Sequence, residues 1–536
     1  MVAASTDSLY HISFNDIHIS YFDHDVVITD VHLLPDTMKA AQLRQQHRYA
    51  PNTFSTLIIP RIEITGIDWK HLINNHSFDC GQMAIEGMKW DMVTTSHPDD
   101  SLYPKDKKKK SYIQHIRAAH FILSKPDITY AYKGKHNSFK CFLKGGSASL
   151  ENWGYNCDEH EDTSVFLYAK SGIVRLDTFT LLKPSGRYTV QKPILDFETG
   201  ANYVTLKNVG IKHMINRDPN NGTEKEIYDL KFPEITLTGF NWNQLIINDA
   251  LSATNIKAKK PDIAIRYLRA AETHESKIGS YPQQLLLEVA LRTYFKQLDV
   301  SNGDLKYVEV TEKGQEGLIE FTGINGSFEN ITNIDSIIAL HKDCVIKLKG
   351  KFKRKSDVAV TFNLGLADRT GKFSVTGSIK NLDGDEVLEQ VRAFTIVEVT
   401  SFHLSQMDFH EQGDESYVKG DYTIKYDGLK ISLFKFKSDQ RKDKKGPLSF
   451  LGSTLVLYTS NPMPNEELRK VSVHFARDAD KGFINMIWKN MYYAAKKTAV
   501  RSQNLLVATD GKETGKGEEP KKGFFQRLFG KKKKDE

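Results

Sequence analysis

A fourteen-residue segment recurs in this chain in register and without a gap, seven of its positions identical in both copies. Pro60-Arg61-Ile62-Glu63-Ile64-Thr65-Gly66-Ile67-Asp68-Trp69-Lys70-His71-Leu72-Ile73 returns as Pro233-Glu234-Ile235-Thr236-Leu237-Thr238-Gly239-Phe240-Asn241-Trp242-Asn243-Gln244-Leu245-Ile246, an offset of 233 − 60 = 173 residues. In each copy apolar residues alternate with polar ones, which is the period of a strand. Ile62 and Ile64 point one way, Arg61 and Glu63 the other. Gly66 allows an exit with positive φ. Trp69 and Leu72 then share one face of a single helical turn. A chain that reuses such a unit grows by adding strands to a sheet, not by adding separate cores.

Alternation runs through most of the remaining sequence. It starts at Tyr10, Ile12 and Phe14 and continues past Ile17, Ile19 and Tyr21. Tyr, Phe, Val, Ile and Thr are frequent, as a pleated, half-buried surface favours. Helices are predicted over Pro35–His47, Tyr281–Thr293, Leu382–Phe394 and Asp480–Lys497. Hairpin turns are predicted at Gly145-Gly146 and at Asn302-Gly303. The fold class is mostly β: an elongated, repetitive antiparallel sheet forming a groove or solenoid-like structure, with a few short helices and a C-terminal helix. The expected segments are residues 1–220 and 221–478, each a β-rich repeat unit, a helix over 479–500, and a disordered linker and tail over 501–536.

The net charge of +7 is concentrated in two runs, Lys105–Lys110 and Lys531–Lys534. A nucleic-acid-binding fold would spread basic charge over a face, so no nucleic-acid partner is expected. No stretch of about 18 apolar residues marks a membrane span, and Met1–Ser8 lacks the pattern of a signal peptide. The four cysteines, Cys80, Cys141, Cys157 and Cys344, form no paired metal-ligand spacing, and they read as lone thiols. Cys157-Asp158-Glu159-His160-Glu161-Asp162 offers ligand atoms only on consecutive residues of one acidic loop. His403 and His410 lack a third ligand at useful spacing. No nucleophile elbow, phosphate loop or zinc-protease signature occurs. A non-enzymatic protein without cofactor or metal is the expectation. Near the C-terminus, Phe524, Phe525, Leu528 and Phe529 are surrounded by Arg527 and Lys531, Lys532, Lys533 and Lys534. That pattern suits either an anionic membrane surface or a solubilising terminus.

The stretch Tyr10–Pro35, the two Pro-x-Ile-x-[Ile/Leu]-Thr-Gly units and Asn302-Gly303-x-x-x-Tyr307-x-Glu309 together resemble the AsmA-like (TamB-related) proteins of bacterial envelopes. Gly420-Asp421-Tyr422, Tyr426-Asp427-Gly428-Leu429-Lys430-Ile431, Asn461-Pro462 and Arg477-Asp478 extend the resemblance over nearly the whole chain. The resemblance implies an elongated β-groove anchored in the inner membrane and projecting into the periplasm, sheltering phospholipid acyl chains. The N-terminal anchor of that family is not visible in this sequence. On this reading Ile62, Ile64, Ile235 and Leu237 belong to an apolar lipid-lining surface, and phospholipid or a membrane surface is the partner. Two other readings stay open: a structural or adhesive β-solenoid with a closed core, and a polysaccharide-active enzyme built on one.

Overall fold

The structure, a computed structural model, describes residues 9–46, 52–95, 113–133, 138–156, 166–183, 186–214, 226–241, 244, 250–268, 276–289, 291–310, 316–384, 386, 397–433, 457–479 and 482–501. The fold is mostly β, and the chain divides into two compact units, Met1–Ile265 and Arg266–Glu536. The division falls there and not between 220 and 221, because the second copy of the repeated segment pairs with the strand before it. The tail residues Phe524, Phe525, Arg527, Leu528, Phe529 and Lys531–Lys534 lie outside the described residues.

The first unit opens with β1 (Tyr10–Ser13), β2 (Asp16–Ser20), β3 (Asp25–Pro35), α1 (Thr37–Gln45), β4 (Thr53–Thr65), α2 (Trp69–Asn75), β5 (Ser77–Glu86) and β6 (Lys89–Thr95). Then come β7 (His115–Ser124), β8 (Asp127–Lys133), β9 (Ser138–Lys144), β10 (Ser147–Asn156), β11 (Ser171–Arg175), β12 (Thr178–Lys183), β13 (Gly186–Gln191) and β14 (Ile194–Glu198). The last are β15 (Tyr203–Met214), β16 (Glu226–Thr238), β17 (Ala250–Lys259) and β18 (Asp262–Leu268), which holds the division point.

These strands form a ladder whose rungs are either one long strand or two short ones end to end. β3 pairs with β1 and β2 on one side and with β4 on the other. β4 carries both β5 and β6. From there the ladder runs on two tracks, β5–β7–β10–β11–β14 and β6–β8–β9–β12–β13, which rejoin on β15. The β5–β7 and β6–β8 pairs are parallel, so the sheet is mixed, not purely antiparallel.

The duplication is much longer in structure than in sequence. Shifted by 173 residues, β4, β5 and β6 fall on β16, β17 and β18, end for end. The pairing registers also match: Arg61 faces Glu86 as Glu234 faces Lys259. Gly66 and Gly239 both have positive φ, 67° and 62°. The side chain of Asp68 accepts from the His71 amide at 2.9 Å, and that of Asn241 from the Gln244 amide at 3.0 Å, so the helix cap is repeated as well.

The paired prolines mark a seam. Ile59 and Ile62 belong to one apolar cluster, yet the two residues between them, Pro60 and Arg61, are both exposed. Alternation therefore skips a residue there, and the strand bends as at a β-bulge. Opposite Pro60, Asp30 has φ 55°; opposite Pro233, Asn208 has φ 56°. Proline has no amide to give to the ladder, so it fits where pairing is already interrupted. The split rungs join at the same seam through positive-φ residues: Gly87, Lys125, Gly145, Gly146, Lys192 and Lys260. Three of these joints read Lys-Pro, at Lys125-Pro126, Lys192-Pro193 and Lys260-Pro261. Hence Gly145-Gly146 is not a hairpin turn. β9 and β10 are collinear halves of one rung, bridged by Gly145 N–H to Pro126 O at 2.7 Å and Lys125 N–H to Gly146 O at 2.8 Å.

The second unit contains α3 (Pro282–Leu287), β19 (Arg292–Val310), β20 (Glu316–Thr332), α4 (Asp335–Leu340), β21 (Asp343–Phe352), β22 (Ser356–Gly365), β23 (Phe373–Asp383), β24 (Val397–Gly413), β25 (Tyr417–Leu433), β26 (Lys470–Ala476) and α5 (Phe483–Ala499). Its strands form an antiparallel meander from β19 to β26, each paired with the next. Asn302-Gly303, expected as a hairpin turn, lies inside the single strand β19. Asn302 takes φ 52° and the register with β20 shifts on either side of Gly303. The amide of Asn302 is satisfied by Asn325 Oδ1 at 3.0 Å, so the left-handed residue makes a bulge. The helix predicted over Tyr281–Thr293 is shorter because β19 already begins at Arg292. The helix predicted over Leu382–Phe394 starts two residues later, because β23 continues to Asp383: Gly384 and Glu386 are helical, and residues 385 and 387–396 lie outside the described residues.

One apolar core fills the space between this meander and α5. Phe483 meets Tyr281 and Phe373 edge-on, with ring centroids 5.0 Å apart in each pair. Met486, Ile487 and Ala494 are buried on the same helix face, as the helical spacing of Phe483, Ile487 and Met491 anticipates.

Candidate functional site

Two strand faces stand out, one in each unit. In the first unit, following register partners from strand to strand traces apolar rows that cross the whole ladder. One runs Ile19, Val26, Ile64, Met83, Phe121, Leu150, Gly172, Phe197, Val204, Leu237, Ile256. Its neighbour runs Ile17, Ile28, Ile62, Ile85, Leu123, Ala148, Val174, Leu195, Leu206, Ile235, Ala258. A third, across the seam, runs Ile12, Leu33, Leu57, Trp90, Ile128, Leu143, Phe179, Val190. No charged residue interrupts any of them. One row over on the opposite face, the same strands carry Thr29, Arg61, Glu86, Ser124, Ser147, Arg175, Ile194, Lys207, Glu234 and Lys259. The four residues singled out from the sequence therefore fall on two adjacent rows. Ile64 and Leu237 share the first, and Ile62 and Ile235 share the second.

Gly172 is the one gap in the first row, and its neighbours fill it. A Cβ there would stand 2.6 Å from Leu150 Cδ2 and 3.0 Å from the Phe197 ring. The rows are only partly covered. Met83, Phe121, Ile62, Ile85, Leu123, Val174, Leu195, Leu206 and Ile235 are all half-buried. Helix packing in this unit is concentrated near its first rungs. Ala40 and Leu43 of α1 sit with Leu9, Tyr10 and Phe54, while Trp69 of α2 sits beside Ile64 and Ile67. What does bury the rows is the bend. Ile28 and Ile62 on one side of the seam cluster with Leu57, Trp90 and Ile128 on the other. The result is an apolar strand face creased along the seam. Nine strand spacings of about 4.8 Å separate Val26 from Ile256, so the row is about 43 Å long.

The second unit differs. A concavity of about 1090 Å³ crosses β20 to β26. Its floor is the backbone of a row whose side chains, among them Val360, Phe409 and Tyr422, point into the core behind. Its walls are two polar rows, and residues within them bond to one another: Thr376 Oγ1 with His410 Nδ1 at 2.9 Å, and Ser472 Oγ donating to Asp421 Oδ1 at 2.5 Å. His410 thus serves the sheet surface, while His403 pairs with Asp383 at 2.7 Å.

Behind that floor lies a buried polar group that the sequence did not reveal. Glu411 is fully buried on β24. Tyr422 donates to its Oε1 at 2.6 Å, and Asn490 of α5 donates to the Tyr422 hydroxyl at 2.7 Å. Loss of water pushes the Glu411 carboxyl up to about 8, against the weaker opposing effect of its hydrogen bonds. Glu411 Oε2 and Asn490 Oδ1 have no partner, and protonation removes the charge that burial penalises. Burial likewise raises the thiols of Cys80 and Cys344 to about 11, which leaves both inert at neutral pH. The acidic loop Cys157–Asp162 lies outside the described residues. Among those residues no helix is long and apolar enough to cross a membrane.

No known protein family matches the chain, and neither does any curated protein.

Proposed function

We propose that the first unit holds the acyl chains of lipids along its apolar rows, and that the protein is a non-enzymatic lipid carrier of the AsmA-like kind working at the cell envelope. The observation that carries this reading is the uncharged apolar register from Val26 to Ile256, in which the one gap, at Gly172, is filled by its neighbours. A purely structural sheet needs no such continuity, since its strands can alternate their apolar positions locally. Each methylene moved from water onto such a face gains about 0.8 kcal/mol. At about 43 Å the row outruns one leaflet of a bilayer, which is about half of 30 Å. Chains can therefore lie along it at many positions, and no small set of residues dominates binding. The closed-core alternative is favoured by the second unit, where α5 fills the apolar side; there a scaffold role is the better reading.

The test is mass spectrometry of organic extracts from protein purified without detergent. Phospholipid is expected to copurify with the wild type. Leu206→Asp, which puts a charge in the second row, is expected to lower the lipid content several-fold. Lys207→Asp, one residue on and facing the other way, is expected to leave it unchanged. Lipid-free wild-type protein overturns the reading.

A further inference from the structure

The apolar rows do not stop short of the ladder's first edge. They run out onto β1 and β2, where Ile12, Ile17 and Ile19 are 47%, 39% and 59% exposed. Among the described residues β1 and β2 pair only with β3, so no described strand meets their outer edge. Natural sheets blunt such edges with lysine, proline or a covering element. This one carries neither lysine nor proline, and no described element covers it: it reads Tyr10-His11-Ile12-Ser13-Phe14-Asn15-Asp16-Ile17-His18-Ile19.

That sequence is close to a palindrome about Phe14-Asn15. Placed antiparallel to itself so that paired residue numbers sum to 29, it sets Ile12 against Ile17, Tyr10 against Ile19, His11 against His18 and Ser13 against Asp16. The centre of the palindrome is also where the seam reaches the edge. Asn15 N–H bonds Thr29 O at 3.0 Å, beside the positive-φ residue Asp30. A two-fold axis through that point matches crease to crease and apolar row to apolar row.

We infer that β1–β2 is a self-complementary docking edge, and that a second copy of this chain adds to it antiparallel, joining two apolar faces end to end. The contact is isologous, so each protomer offers Ile12 to Ile17 of its partner and Ile17 to Ile12. The length of apolar face available to a lipid doubles without any new binding chemistry. The inference rests on the edge pattern and not on bound lipid. A lipid-free dimer removes the lipid reading alone, and a lipid-loaded monomer removes this one alone.

Light scattering on the full chain across a dilution series tests it. Wild type is expected to approach twice 60.9 kDa, and Ile17→Lys to stay monomeric with its circular dichroism unchanged. The double variant Ile12→Glu, Ile17→Lys sets opposite charges against each other across the axis and is expected to recover the dimer. Register is read separately by oxidation. Ile12→Cys with Ile17→Cys is expected to cross-link two chains, and Ile12→Cys with Ile19→Cys, which does not sum to 29, is expected to cross-link far less. Monomeric wild type at every concentration overturns the inference. So does a dimer indifferent to Ile17→Lys, or cross-linking without register preference.

Discussion

At the residue scale, two kinds of position control the sheet. The first is the residue forced to take positive φ. Gly146 has φ 90°, and a Cβ there would lie 2.1 Å from Arg175 O. Gly146→Ala is expected to cost about 1–3 kcal/mol and to lower the melting temperature. Gly210→Ala, with nothing within 4 Å of the new carbon, is the control and is expected to be nearly silent. The second is the buried acid Glu411. Unfolded, its carboxyl titrates near the ordinary 4.5; folded, it is held up to about 8. Between those values the folded state keeps a proton that the unfolded state has lost. Its contribution is therefore complete below about pH 4.5 and fades as pH rises through about 8. Urea midpoints measured from pH 5 to pH 8 are expected to fall for wild type, and Glu411→Gln, neutral throughout, is expected to flatten that slope. An unchanged slope places the pH dependence elsewhere.

At the scale of elements, the chain shows which signals a sequence carries. Ile62 and Ile64 faced one side as alternation requires, and α5 formed where its apolar spacing placed it. The helix docks through Phe483, so Phe483→Ala is expected to cost about 3–5 kcal/mol, read as a lower urea midpoint. Asn302-Gly303 and Gly145-Gly146 misled for one physical reason. Residues that tolerate positive φ serve a tight turn and a bulge equally well, and only the partner strand decides between them. Beside Gly145-Gly146 the partners are Pro126 and Arg175, far away in sequence. The seam did leave a trace, in Lys125-Pro126-Asp127-Ile128 and Lys260-Pro261-Asp262-Ile263, which repeat the joint before a half-strand. Glu411 left none. A glutamate between His410 and Gln412 in an alternating strand looks like any surface residue until Asn490 closes over it, and Gly420 lets it: a Cβ there would stand 2.8 Å from Asn490 Nδ2.

At the scale of the molecule, the two units put apolar strand faces to opposite uses. In the second, α5 and Tyr281 close the face into a core with fully buried Val375 and Val418. In the first, the face is creased along the seam and left half-covered over ten strands. The fourteen-residue duplication belongs to this larger plan. Ile62, Ile64, Ile235 and Leu237 fall on the two rows, and its proline falls on the crease. Whether that face is open to lipid is read most directly by a photo-reactive benzophenone side chain placed at Leu195, on the second row, or at Glu198, exposed on the other face of the same strand β14. With protein illuminated in cells and its adducts weighed by mass spectrometry, a lipid-binding face gives phospholipid adducts at Leu195 and few at Glu198. No adduct at Leu195, or equal yields at both positions, contradicts it.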